Sequence, residues 1–161
     1  MPLVGVVMGS PTDKEVVNAT ERQLEDLGIE YETQTLSAHR VPELVREYVL
    51  GAEDRGIRVF IALAGGSAAL GGTLAGWTTR PVIGVPLASS ALGNGMDALL
   101  ATVQMPPGVP VACMAVGVWG ARNAALFAAQ ILGVGDETIR KACEEARRKL
   151  KEPYAIQPPS F

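Results

Sequence analysis

Short runs of consecutive apolar residues recur along this chain of 161 residues, separated by segments with helical periodicity. Strands that are apolar at every position are typical of a parallel sheet covered on both faces, because half-solvated strands alternate apolar and polar residues. Parallel strands also need long crossover connections, which the helical segments supply. The chain is therefore predicted to be an α/β protein with a central parallel sheet. The predicted strands are 2–8, 30–36 (the one that alternates), 57–64, 81–86 and 109–117.

Helix signals lie between and after these strands. Thr12 and Glu15 have the spacing of a capping box, which predicts that the first helix begins at Thr12. No repeat or linker interrupts the sequence, so we expect a single domain over 1–161 with its core at 2–133. The predicted helices are 12–27, 42–56, a short one within 65–76, 121–132 and 136–151, followed by an extended Pro-rich tail.

Composition excludes several classes of function. The net charge is −3 and basic residues cluster only at 147–151, so nucleic-acid binding has no electrostatic basis. The single histidine and the distant Cys113 and Cys143 leave too few ligands for a zinc site, and we expect no metal. The longest apolar run, 109–119, is too short to cross a membrane, and a basic signal-peptide start is lacking. We therefore expect a cytoplasmic protein without membrane contact.

Polar or glycine-rich segments follow four of the predicted strands. Open parallel sheets bind ligands at the carboxyl ends of their strands, so we expect these segments to form one site. Taken individually, segment 9–13 could be an ordinary capped turn, and the glycines of segment 64–72 could serve packing alone. Neither a GxGxxG pattern nor a Walker lysine is present, which disfavours dinucleotide and P-loop sites. The segments are GSPTD (9–13), SAHR (37–40), AGGSAALGG (64–72) and LASSALGNGMD (87–97).

His39, the only histidine in the chain, lies in the segment that follows the second strand. Isolated histidines are more often structural than catalytic, but open α/β sheets place their chemistry at this position. Imidazole takes and returns a proton near neutral pH, and Arg40 beside it can pair with a phosphate or carboxylate. These residues predict a phosphorylated, anionic small substrate that undergoes proton transfer. Serine hydrolase chemistry is disfavoured, because GxSxG is absent.

Six motifs occur in one order within residues 3–133: MGSPTD, SAHR, AGG, PVIGVP, VQMPPGVPVA and NAALFAAQIL. This ordered set resembles the PurE family of purine biosynthesis. The resemblance implies a flavodoxin-like three-layer α/β/α sandwich, a homo-octamer, and no metal, ATP or other cofactor. It also implies one of two reactions. A mutase converts N5-carboxyaminoimidazole ribonucleotide to 4-carboxyaminoimidazole ribonucleotide, whereas a carboxylase makes the same product from aminoimidazole ribonucleotide and carbon dioxide.

The same resemblance implies roles for individual residues. His39 is expected to be the general acid/base that removes the proton from the ring carbon. Ser10 and Asp13 are expected to contact the phosphate and ribose of the nucleotide. Segments 64–72 and 87–97 are expected to wall a closed cavity that retains carbon dioxide. The other expected substrate-binding residues are Ser37, Arg40, Gly65, Gly66, Ser67 and Ala69.

The third segment departs from the mutase pattern. Ala69 stands where the mutase segment AGGAAHLPG has a histidine, and Ser67 with Ala69 is closer to the carboxylase segment AGRSNALSG; ALGNGMD is also one residue longer than in mutases. Arg40 and VQMPPGVPVA match the mutases over more positions, so the mutase reaction is the main prediction. The alternatives are the carboxylase, a non-catalytic nucleotide-binding paralogue, a nickel-pincer-type carboxylating domain and a flavin-binding or signalling module.

The helix predicted at 121–132 is apolar on nearly every side. Such a helix must be buried all round. One sheet covers one side only, so we expect a neighbouring subunit to cover the rest, in keeping with the implied octamer.

Overall fold

A five-stranded parallel sheet forms the centre of the computed structural model, which describes residues 1–89 and 92–154. Three of the strands, β1, β3 and β4, are buried along nearly their whole length, as their uninterrupted apolar sequences predict. The strands are β1 (Val4–Met8), β2 (Tyr31–Thr35), β3 (Val59–Gly65), β4 (Val82–Leu87) and β5 (Ala112–Cys113), in the spatial order β2-β1-β3-β4-β5.

Helices cover both faces of this sheet. Alternate residues of a strand point to opposite faces, so Ile61 and Leu63 of β3 join one core while Phe60 and Ala62 join the other. The first core lies under α1 (Lys14–Asp26) and α5 (Val118–Gly133), with α6 (Glu137–Lys149) packed on α5, and the second under α2 (Pro42–Ala52), α3 (Leu70–Ala75) and α4 (Met96–Val103). The predicted flavodoxin-like three-layer α/β/α sandwich is confirmed.

The fifth strand is much shorter than the predicted run 109–117, since only Ala112–Cys113 pairs regularly with β4. Proline accounts for part of the difference, because Pro110 on one side and Pro86 in β4 have no amide N–H to donate to a ladder. Beyond the strand the chain still contacts β4 irregularly: the Gly117 amide donates to the Pro86 carbonyl at 2.9 Å. The strand prediction was wrong in extent but right in location.

The first helix does not begin with the predicted capping box. Pro11–Asp13 form a 3-10 turn, and the Ser10 hydroxyl accepts a hydrogen bond from the Thr12 amide at 3.3 Å. The α-helix itself starts at Lys14. Pro11 explains the difference, because its fixed φ suits a tight turn directly after the strand. The prediction that Thr12 caps the helix is therefore wrong.

Four other elements differ from the sequence prediction, among them α2, which ends at Ala52 and not at the predicted Gly56. The sequence prediction lacks α4, because the glycines at 93 and 95 just before it are typical of a loop. α5 begins three residues before the predicted Ala121. Glu152–Tyr154 form a 3-10 turn instead of extended chain, and the rest of the predicted tail, 155–161, lies outside the described residues. In the described part of the chain, no helix is long and apolar enough to cross a membrane.

Candidate functional site

A cavity of about 350 Å³ opens where β1, β2, β3 and β4 end. Parallel strands end at one edge of the sheet, so the segments that follow them meet there. Every predicted site residue except Gly66 lines this cavity. The lining residues are Gly9, Ser10, Thr12, Asp13, Ser37, Ala38, His39, Arg40, Ala64, Gly65, Ser67, Ala68, Ala69, Leu70 and Ser89.

The segment after β1 contributes two hydroxyls and a buried carboxyl. Ser10 Oγ and Thr12 Oγ1 lie 2.8 Å apart and form a hydrogen bond. Asp13 is buried, and this burial raises the pKa of its carboxyl, while a hydrogen bond with the Ser10 backbone acts in the opposite direction. Asp13 is thus a poorly solvated acceptor at the cavity wall, suited to a hydroxyl of a ligand.

The segment after β2 is a turn that presents His39 and Arg40. The Ser37 hydroxyl accepts a hydrogen bond from the Arg40 amide at 3.3 Å, and the Ser37 carbonyl accepts one from the Val41 amide at 3.0 Å. These bonds fix the backbone of the turn, and both His39 and Arg40 are exposed at the cavity rim. The cation and the imidazole are therefore accessible to an anionic ligand.

The segment after β3 turns sharply before α3. Gly66 adopts a φ of +59° and Ala68 one of +44°, a left-handed conformation that costs a non-glycine residue about 1–2 kcal/mol. The Ala68 amide donates to the Gly65 carbonyl at 3.1 Å and closes the turn. Gly66 does not line the cavity, so the structure assigns it to the turn. Ser67 and Ala69 face the cavity as predicted.

Several lining residues are missing from the sequence prediction. Gly9, Ala38, Ala64 and Leu70 adjoin predicted residues and could have been found from the segments alone. Thr12 was assigned to a helix cap, although its hydroxyl lies in the site. Ser89, directly after β4, lies in the segment 87–97, which was predicted to join the site as a whole, and the sequence gives no signal that distinguishes Ser89 within it.

The arrangement combines one imidazole, one guanidinium, one buried carboxyl and several hydroxyls around an open cavity. Such a set can bind an anionic, hydroxyl-rich molecule and move a proton on it. Among residues 1–89 and 92–154, no group of three or more histidine, cysteine or acidic side chains is arranged to hold a metal ion.

Comparisons with known proteins agree with this chemistry. The model of the AIR carboxylase family matches residues 3–153, which extends the similarity beyond the motifs to include α6. The chain is 51% identical over 151 residues to the N5-carboxyaminoimidazole ribonucleotide mutase of Pyrococcus abyssi (94% of this chain, 85% of that one). It is 50% identical over 151 residues to the mutase of the same name from Bacillus subtilis (94% and 93%).

A solved structure has the same fold. Treponema denticola PurE matches with a TM-score of 0.86 and 29% identity, covering 96% of this chain and 94% of that one. The family match and the curated relatives each extend over more than nine-tenths of the sequence. The chain therefore belongs to the AIR carboxylase family, as its ordered PurE-like motifs predict.

Proposed function

We propose that this chain is an N5-carboxyaminoimidazole ribonucleotide mutase of purine biosynthesis, forming 4-carboxyaminoimidazole ribonucleotide. One observation carries the proposal: relatives of that name are 50–51% identical over 94% of the chain. The cavity supports it, because it holds a proton-transfer group and an anion-binding group side by side at His39 and Arg40.

The reaction moves a carboxyl group from nitrogen to carbon within one nucleotide. The N–C bond of the carbamate breaks and releases carbon dioxide, the ring carbon C4 forms a new C–C bond to it, and the C4 proton leaves. Overall, the C4 proton replaces the carboxyl group on nitrogen, so one general acid/base suffices to shuttle it. We assign this role to His39.

The remaining lining residues are assigned to binding. Arg40 offers a bidentate partner for phosphate or carboxylate, and the poorly solvated Asp13 carboxylate suits a ribose hydroxyl. Hydroxyls of Ser10 and Ser37 supply further hydrogen bonds. The segment of Gly65, Gly66, Ser67 and Ala69 is assigned to the wall of the cavity beside the reacting carbon, with Gly66 acting through the backbone turn.

The carboxylase reaction is the second candidate, and Ala69 favours it. Its methyl group faces the cavity where the mutase pattern has a histidine, which leaves more room for carbon dioxide arriving from solution. Turnover of both nucleotides at matched concentration distinguishes the two. We expect the carboxylated nucleotide to react without added bicarbonate and the uncarboxylated one to react slowly even at high bicarbonate. The reverse ranking would establish the carboxylase, and no turnover of either would favour a non-catalytic paralogue.

We also propose that the chain acts as one cytoplasmic domain within a homo-octamer. The prediction that a neighbouring subunit must cover the helix at 121–132 is wrong, because α1 and α6 of the same chain pack against α5. Its Leu126, Phe127 and Ile131 are partly buried within the single chain. A different helix supports assembly. Met96, Leu100 and Val103 on α4 are 51%, 58% and 52% exposed, and their spacing places them on one face. A second copy of this chain is the occupant proposed for that face.

A further inference from the structure

Gly65, the last residue of β3, has no conformational reason to be glycine. Its φ is not positive, unlike that of Gly66 next to it, so an L-residue could adopt its backbone conformation. The constraint is space. A Cβ on Gly65 would overlap the hydroxyl of Ser89, lie 2.7 Å from Ser89 Cβ and lie 3.0 Å from the Leu87 carbonyl oxygen. The Ser89 side chain thus occupies the volume that any larger residue at position 65 would fill.

Ser89 reaches this position because β3 and β4 are paired. Gly65 is in register with Leu87, and the chain two residues later folds over the end of β3. The hydroxyl lies at the cavity wall, where the side chain is exposed, and it has no hydrogen-bond partner among the described residues. A polar group without an internal partner, held against a glycine at the wall of a binding cavity, is available to a ligand.

The placement also extends the site. Arg40 follows β2 and Ser89 follows β4, which are separated by three strand spacings of about 4.8 Å, or about 14 Å in all. Among the described lining residues Arg40 is the only Lys or Arg, so it suits an anionic group of the ligand, while Ser89 offers an uncharged hydrogen bond three strand spacings away. Such a distance suits an elongated molecule such as a nucleotide.

We infer that Ser89 is a substrate-binding residue, and that Gly65 is glycine because a side chain there would displace the Ser89 hydroxyl. The inference rests on the proposed function, since the ligand in question is the nucleotide substrate. It adds to the site a residue from the fourth strand of the sheet.

The test is a pair of substitutions analysed as a cycle. Ser89→Ala removes one neutral hydrogen bond, so kcat/KM is expected to fall about 2- to 12-fold. Gly65→Ala forces the hydroxyl away and is expected to lower kcat/KM at least as much. In a Ser89→Gly background the overlap with Ser89 disappears, so Gly65→Ala is expected to cost clearly less. Thr79→Ala, which removes an exposed hydroxyl outside this cavity, serves as the matched control.

Binding is measured separately from turnover by calorimetry with the N5-carboxylated nucleotide on His39→Asn protein, with and without Ser89→Ala. A weaker Kd at an unchanged thermal midpoint supports the inference. An unchanged Kd, whether or not the midpoint falls, overturns it, because Ser89 is then at most structural. If the wild-type chain turns over neither nucleotide, the proposed function fails instead, and that result is read from the wild-type assay alone.

Discussion

His39 lies at the exposed rim of the cavity and carries the only imidazole of the chain. Replacing it by asparagine keeps a polar side chain but removes the proton shuttle. We expect His39→Asn to fold and to bind the nucleotide, while turnover falls about 10²- to 10⁴-fold. Steady-state kinetics together with calorimetric binding check this. A variant that retains more than half of the wild-type rate would contradict the assignment.

Asp13 couples stability to pH. Burial raises the pKa of its carboxyl in the folded state, so the folded state favours the protonated form, and this contribution is lost as pH rises through the folded pKa. The always neutral Asp13→Asn variant is therefore expected to unfold at a higher temperature than wild type at pH 7. The advantage should vanish below about pH 3.9, where the carboxyl is protonated in both states. A lower midpoint for the variant at pH 7 would be evidence against this reasoning.

Asp13→Asn also tests substrate binding, and here we expect a loss of activity although the stability rises. Hydrogen bonds to charged groups contribute about 1.5–3 kcal/mol, so losing the carboxylate should lower kcat/KM about 10- to 100-fold if it holds a ribose hydroxyl. Steady-state kinetics measure the loss, with Thr79→Ala as the control. A variant that is more stable and equally active would remove Asp13 from the site.

At the residue scale, the sequence predicts those site residues whose location follows from where a strand ends. Ser10, Ser37 and His39 follow strands, and the parallel sheet brings them together without further information. Ser89 also follows a strand, but nothing in the sequence distinguishes it from the other residues of 87–97, because the position of its hydroxyl depends on the space beside Gly65 in the neighbouring strand. The space left between side chains on two paired strands cannot be predicted from the residues of either strand alone.

At the scale of elements, β1 is constrained by a single close approach. A Cβ on Gly5 would lie 2.7 Å from the Tyr48 hydroxyl and 3.1 Å from Phe60 Cδ1, so one of these side chains must shift to admit it. Gly5→Ala is expected to destabilise the fold by about 1–3 kcal/mol, as overpacked cores do. Adding Tyr48→Phe removes the nearer contact and should restore part of the loss, measured by denaturant unfolding.

The matched control for this cycle is Gly51→Ala in α2. There the added Cβ meets only the flexible Arg55 guanidinium at 3.1 Å, and alanine is the better helix former. Its stability should be unchanged or higher. If Gly5→Ala behaves like Gly51→Ala, the core around β1 is looser than the distances indicate.

Periodicity identified the buried elements and failed where glycine and proline interrupt them. β1, β3 and β4 were predicted because their sequences are apolar throughout. In contrast, β5 is shorter than predicted next to Pro110, and α4 was not predicted because Gly93 and Gly95 precede it. In β5 the missing proline amides limit the ladder with β4, whereas α4 starts directly after Gly95, which a sequence pattern assigns to a loop.

At the scale of the whole molecule, the apolar face of α4 is expected to lie at a subunit interface. Leu100→Lys places a charge in the middle of that face and should reduce the mass measured by light scattering from eight times 16.9 kDa to a smaller species. Val134→Lys changes a residue that is 90% exposed just after α5 and should leave the mass unchanged. A wild-type chain that is monomeric at micromolar concentration would refute the assembly itself.

The turn of Gly66 to Ala69 also affects how this protein can diverge. Ser67 is exposed and Ala69 only half-buried, and both lie outside the two cores that hold the sheet together. We expect mutations at these positions to alter what meets the ligand at little cost to folding. We expect less tolerance at His39, the proposed proton shuttle, and at Gly65, where a side chain would overlap Ser89. Substitutions in this turn can thus change the site while the fold is kept. A carboxylase-like turn in a chain half identical to mutases is the outcome expected of such unequal tolerance.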